Sequence, residues 1–290
     1  MSMKITSIRT GALVGLALPL MTLSPAGADV EGLKAFVAMK VGVVDLLHTK
    51  AERALVTAAQ DQTFRQYFEA KTDSERASLR ERIDHISLAV QSKFAVEEMC
   101  FIDETGTEIS RVVKNEIAYD LSTEEASANF FAPTFAEKPR EVYLAPIYVS
   151  PDVHRWVAAY ATPVDVQGQK KAILHYEHGL DFYERTLNAG VDPDGVRVIL
   201  TATADGWVIF DSRKKIPIEQ IGDSEEPADY FQQLSVGGLS LTELKNAVAK
   251  GKTEGAATIE AKDGQKLDVA FKTQGDWVLV AFEPSKEQSS

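Results

Sequence analysis

The sequence predicts an α+β protein in which two similar halves, each built on a central antiparallel sheet, are arranged along one long N-terminal helix. Three observations carry this expectation. Apolar residues recur at helical spacing through Glu31 to Ala70 with no proline; short strand-like runs separated by turn residues follow; and the order of hairpin, connection, helix and closing strands occurs twice. The chain has 290 residues, 44% hydrophobic and 26% charged, the composition of an ordinary globular protein. Lys plus Arg number 31 against 43 for Asp plus Glu, a formal charge of -12, which argues against a nucleic-acid binder or a partner of anionic membrane surfaces. A single cysteine, Cys100, excludes an internal disulfide and any multi-cysteine metal site.

Residues 1–28 read as a signal peptide. Lys4 and Arg9 precede an apolar run from Gly11 to Leu23, and Ala26 and Ala28 stand at the two small positions of an A-x-A cleavage site, placing the cut before Asp29. The run contains Gly15 and Pro19 and falls short of the roughly 20 residues of a spanning helix. A periplasmic or secreted protein is the expectation.

Residues 29–72 form the long helix. Leu33, Val37, Val44, Leu47, Ala51, Leu55 and Ala58 repeat three, four or seven apart, and such a helix through Ala70 would approach about 60 Å, long enough to lie along both halves. The first globular part is expected over 73–190. Thr72 with Glu75 opens a second helix, striped by Leu79, Ile83, Ile86 and Val90. Glu97 to Ile102 and Thr107 to Val113 flank an Asp103 to Gly106 turn as a hairpin, and a polar, helical connection covers Asp120 to Phe135. Strands are predicted at Glu141 to Val149, His154 to Thr162 and Lys171 to Glu177, followed by a short helix over Asp181 to Leu187.

The second part is expected over 191–284, with 285–290 as a polar tail. Arg197 to Thr203 and Trp207 to Asp211 form a hairpin, an acidic connection Glu219 to Asp229 follows, and a helix over Leu241 to Ala249 leads into strands at Ala256 to Ala261, Gln265 to Lys272 and Trp277 to Phe282. Trp156-Val157 followed by Pro163 matches Trp277-Val278 followed by Pro284 at identical spacing, which suggests a residue-level repeat.

This ordered set resembles the double Cache family of extracellular sensor domains, also called PDC sensors. The resemblance rests on the long helix, the hairpin Met99 to Gly106, Phe130-Phe131 before the Tyr148 strand, Leu180-Asp181-Phe182 after the last strand of the first half, and Ala204-Asp205-Gly206-Trp207 with Trp277 to Pro284 framing the second. It implies two PAS-like (Cache) domains, a membrane-distal one that binds a small organic ligand and a membrane-proximal one, and a sensory rather than enzymatic role. Most family members continue past the final Pro into a membrane helix, whereas six polar residues follow Pro284 here. The resemblance therefore implies a soluble module reporting to a separate membrane histidine kinase or chemoreceptor.

In amino-acid-binding members an Arg-x-Trp-Tyr stretch aligns with Ala128, Asn129, Phe130 and Phe131, so the carboxylate-binding Arg is missing. Tyr148 corresponds to the family's strand tyrosine and Glu177 to its amine-binding Asp. With the aromatic cluster Tyr143, Tyr148 and Tyr160, and with Arg155 and Phe131, these form the expected ligand set: an aromatic pocket with one acidic group, suited to an amine or an uncharged molecule. Sheet packing alone would also place tyrosines on these strands, and for Trp156 the packing role is preferred.

His175 and Glu177 share a strand face while His178 points away, too few ligands for a metal site. Cys100, between Met99 and Phe101, reads as a buried, inert thiol. No nucleophile-elbow, P-loop, H-E-x-x-H or G-x-G-x-x-G motif occurs, so no cofactor, metal or catalytic residue is expected. The competing expectation is a structural or interaction protein with a vestigial pocket that forms a homodimer through the long helix, if Leu33, Val37 and Val44 face solvent.

Overall fold

The structure, a computed structural model, describes residues 29–94, 96–192, 194–202, 206–216 and 226–286. The expected cleavage site at Ala26 and Ala28 and most of the acidic connection lie outside the described residues. Helix α1 (Val30–Ala59) starts at Asp29, whose carboxylate accepts from the Gly32 N–H at 2.8 Å, with Glu31 adding negative charge where the helix end favours it. The helix is shorter than its apolar period suggests. Gln60 closes the last turn, and Asp61 caps a separate helix, α2 (Gln62–Glu69), by accepting from the Thr63 N–H at 2.8 Å. The break turns Phe64 under the sheet, where its ring meets Phe101 edge-on at 4.8 Å. Helix α3 (Asp73–Phe94) opens with the expected capping box, Thr72 and Glu75 each accepting from the other's backbone N–H.

Strands β1 (Glu98–Asp103) and β2 (Glu108–Val113) form the hairpin, followed by β3 (Glu116–Ile117). The 120–135 connection is only partly helical, a single tight turn at Glu125–Ser127 and then α4 (Phe131–Ala136). The strand expected over 141–149 is split into β4 (Tyr143–Leu144) and β5 (Tyr148–Ser150), because Pro146 has no N–H to give a ladder. Strands β6 (Arg155–Val166) and β7 (Gln169–Gly179) and helix α5 (Leu180–Asn188) complete the first half. The second half comprises β8 (Arg197–Ala202), β9 (Trp207–Asp211), α6 (Pro227–Tyr230), the small pair β10 (Ser235–Val236) and β11 (Leu239–Ser240), α7 (Leu241–Ala249), and the meander β12 (Glu254–Glu260), β13 (Lys266–Gln274) and β14 (Trp277–Pro284).

All pairings are antiparallel. The first sheet runs β3-β2-β1-β7-β6-β4, with β5 also on β6; the second runs β12-β13-β14-β8-β9. Read from the hairpin inward, β2-β1-β7-β6 corresponds to β9-β8-β14-β13. The tryptophan parallel is therefore corrected: Trp156 is the second residue of β6 and Trp277 the first of β14, which are not equivalent strands. Each lies near the start of a central, doubly covered strand, and that burial demands the same apolar sequence in either place.

One end of α1 packs Leu33, Val37 and Val44 into the core of the second sheet, while Ala51 and Leu55 join the core of the first. The helix thus lies along both sheets. Because Leu33, Val37 and Val44 are at most 1% exposed, the stripe that homodimerisation would need is already covered within the chain. Among the described residues no helix is long and apolar enough to cross a membrane.

Candidate functional site

Strand alternation divides the first sheet into two unlike faces. Met99, Phe101, Tyr160, Leu174 and Tyr176 point toward α1 to α3 and form an apolar core. Cys100, Ile102, Ala159, Ala161 and Ile173 point the other way, under Phe130 and Phe131. That second face carries Glu98 and Cys100 on β1 opposite Glu177 and His175 on β7, in direct register. Between it and the 122–130 connection lies a cavity of about 490 Å³, bounded by Glu98, Cys100, Phe130, Tyr148, His175 and Glu177.

Local chemistry holds the cover in place. Gly106 turns the hairpin at φ 87°, and a Cβ there would stand 2.4 Å from the Ala126 nitrogen, so the connection can lie directly on the turn. The Gly106 carbonyl accepts from the Glu125 N–H at 3.0 Å, and Glu108 accepts from the Ser122 N–H at 2.6 Å. Arg111 is buried and donates to Asp152 at 2.6 Å and to the Asp120 carbonyl at 2.8 Å, tying together the loops before and after the cover.

The floor is a continuous polar relay. The Tyr148 hydroxyl donates to Glu177 Oε1 and lies 3.0 Å from His175 Nε2, while the His175 ring stacks on Phe130 with centroids 3.9 Å apart. Burial holds the His175 imidazole neutral by lowering its pKa to about 3. Burial also raises both facing carboxyls, Glu98 and Glu177, with their mutual repulsion adding to the shift at Glu98. Glu177 Oε2 is buried and has no hydrogen-bond partner. The Cys100 thiol donates to Glu98 Oε1 at 2.7 Å and is pushed up by the same burial.

Of the residues expected from sequence, Tyr148 and Glu177 line this cavity and touch each other. The other four do not line it. Phe131 is one residue too far along: Phe130 supplies the lining, and Phe131 packs on Phe135 in the layer behind, with centroids 5.0 Å apart. Tyr160 lies on the helix-facing side, bonded to His48 Nδ1 and, at 2.8 Å, to the Tyr183 hydroxyl. Arg155 pairs with Glu97 at 3.2 Å at the strand's outer end. Tyr143 borders a different cavity of about 680 Å³, between α1 and the β13–β14 turn, with His48 and Trp277.

Sequence reasoning missed Glu98, His175 as a lining residue, Phe130 and the Arg111 brace; Cys100 is buried, as expected. The alternation that paired His175 with Glu177 pointed to their shared face; the strand opposite them could not be named from spacing. Among the described residues, Glu98, Cys100 and Glu108, all buried, could hold a metal ion, with donor atoms within 4.8 Å of one another.

No family model matches the chain, and no curated protein does. Solved structures match nearly its whole length. The sensory domain of the Campylobacter jejuni chemoreceptor Tlp3 with isoleucine bound superposes with a TM-score of 0.67 at 8% identity, covering 90% of this chain and 94% of that one. The extracellular domain of vpHK1S-Z8, described as a histidine kinase, gives 0.63 at 13% identity over 90% and 94%. The ligand-binding domain of the Pseudomonas fluorescens chemoreceptor CtaA with L-leucine gives 0.55 at 15% identity over 90% and 96%. The chain has the fold of these sensory domains, in agreement with the double Cache resemblance in its sequence.

Proposed function

We propose that this protein is an exported sensory module that captures a small organic cation, an amine above all, in the cavity of the first sheet. The observation that carries the reading is the pair of facing buried carboxyls, Glu98 and Glu177, on a cavity whose lining holds no Lys or Arg. An ammonium group placed there would meet the unpartnered Glu177 Oε2 and the faces of Phe130 and Tyr148, which attract cations through their ring quadrupoles. The cavity volume suits a ligand of amino-acid size. The chemoreceptors of like fold are described with isoleucine or leucine bound; here the absence of a lining cation favours the amine alone over an amine with a carboxylate. Binding is the role supported, since the domains of like fold are described as sensory or ligand-binding domains.

Export is supported by the Lys4, Arg9 and Ala26-x-Ala28 pattern. The two separate sheets support a domain division at about residue 190, and the ligand would favour one arrangement of these halves along α1. A membrane histidine kinase or chemoreceptor is the partner this fold suggests. Thermal-shift and calorimetric titration with matched panels of amines, α-amino acids and carboxylates tests the reading. Stabilisation by amines, lost in Glu177→Gln, is expected; response to carboxylates alone, or to nothing in the panels, would sink it.

A further inference from the structure

Glu98 and Cys100 occupy alternate positions of β1 and so share a face. Glu108 reaches them from β2 because the hairpin register shifts between Phe101 and Ile102. One donor atom from each residue lies within 4.8 Å of the other two, and all three side chains are buried. Glu177, 2% exposed, stands opposite Glu98 in the register.

Hydrogen bonds hold these donors close together. The Cys100 thiol gives its one proton toward Glu98 at 2.7 Å, the Ser122 N–H donates to Glu108 at 2.6 Å, Ser150 contributes a long bond of 3.3 Å to the other Glu98 oxygen, and Arg111 stands 3.6 Å from Glu108 while bound to Asp152 and Asp120. Two buried carboxyls and a thiol share only the Arg111 guanidinium, and burial makes their charged forms costly. A divalent ion removes that cost and reverses the local acid-base balance, so that a thiol too weakly acidic by burial is deprotonated outright.

We propose that Glu98, Cys100 and Glu108 bind one divalent transition-metal ion of the zinc class, with a water as the fourth donor. A tetrahedral ion with bonds of about 2.0–2.3 Å holds its donors about 3.5 Å apart, so the present cluster closes on it by side-chain rotation. The mixture of sulfur and oxygen favours zinc or cobalt(II) over calcium or magnesium, which take oxygen alone. On binding, the Cys100 S–H bond breaks, its proton leaves to buffer and a metal–sulfur bond forms, with no change of oxidation state. Glu98 and Cys100 line the cavity, which gives the ion its way in. The site does not rest on the organic ligand, but the two cations draw on the same negative charge, so metal binding weakens amine binding.

Cobalt(II) titration of the reduced, chelator-stripped full chain tests this. A thiolate-to-cobalt charge-transfer absorption should saturate at one ion per chain, release protons and vanish when zinc is added. Cys100→Ser should abolish the absorption, and Glu108→Gln should weaken cobalt binding at least tenfold. No charge-transfer band at saturating cobalt, or a band that survives Cys100→Ser, overturns the site. Should Cys100→Ser fail to fold, unchanged cobalt affinity in Glu108→Gln overturns it equally. Amine titration in chelator runs separately: its failure removes the proposed organic ligand and leaves the cobalt result standing.

Discussion

In the first sheet, the central strands β1 and β7 carry Glu98, Cys100, His175 and Glu177 on one buried face. In the second sheet, the strands in the corresponding places, β8 and β14, carry apolar residues throughout 198–200 and 278–281, all packed into one core. Strand order, pairing and hairpin placement are shared, yet one face is left as a cavity with four ionisable groups and the other is closed. A topology fixes where a site can be; the polarity of one face, set by alternate residues on two strands, decides whether there is one. The second sheet instead gives its interior to α1, whose Leu33, Val37 and Val44 complete it.

The contrast is broken most severely by giving the second sheet a carboxyl. Leu200→Glu puts an unpaired acid among apolar neighbours, and a loss of about 4 kcal/mol or more is expected in urea denaturation, against less than about 1.5 kcal/mol for Leu200→Met. Next in size is Glu177→Gln in the first sheet. Its amide can still accept from Tyr148, so the fold should hold while amine affinity in calorimetry falls at least about tenfold, or about 1.4 kcal/mol.

A third prediction concerns acid. Burial lowers His48 to about 4 and His175 and His178 to about 3, and all three pack on or beside the first sheet. Their folded pKa values lie below the unfolded value of about 6.5, so the unfolded chain binds more protons; stability is complete above that pH and is lost as pH falls toward 3 to 4, by up to about 1.4 kcal/mol per unit for each group. Glu98 and Glu177, raised by burial, gain stability over the same fall in pH, so the imidazole contribution is read as a difference between variants. His178→Phe, which keeps the stack on Phe182, should lose less stability than the unmodified chain between pH 7 and 5 in urea denaturation. Equal losses in the two proteins would show that the His178 imidazole does not set the acid dependence. The smallest effect is expected where the sheets are alike. Each bears an exposed Lys–Glu pair, Lys171 with Glu104 at 2.9 Å and Lys272 with Glu254 at 2.8 Å, and Lys→Ala at either should cost no more than about 1 kcal/mol in thermal unfolding.

The sequence alone was enough for the elements whose causes are local. The Thr72 and Glu75 capping box, the Asp103 to Gly106 turn and the alternation placing His175 with Glu177 all depend on residues a few positions apart. Tyr148 and Glu177 were legible as a pair through the family resemblance. The tertiary structure decided the rest. That Tyr160 faces His48 and Tyr183, that Glu98 stands opposite Glu177, and that Glu108 meets Cys100 across a shifted register follow from which strand pairs with which and which face the helices cover. The break at Asp61 belongs here too, since the helical period continues through it and only the burial of Phe64 beneath the sheet selects the turn. Spacing along the chain determines which side chains share a face; only long-range pairing determines what that face meets.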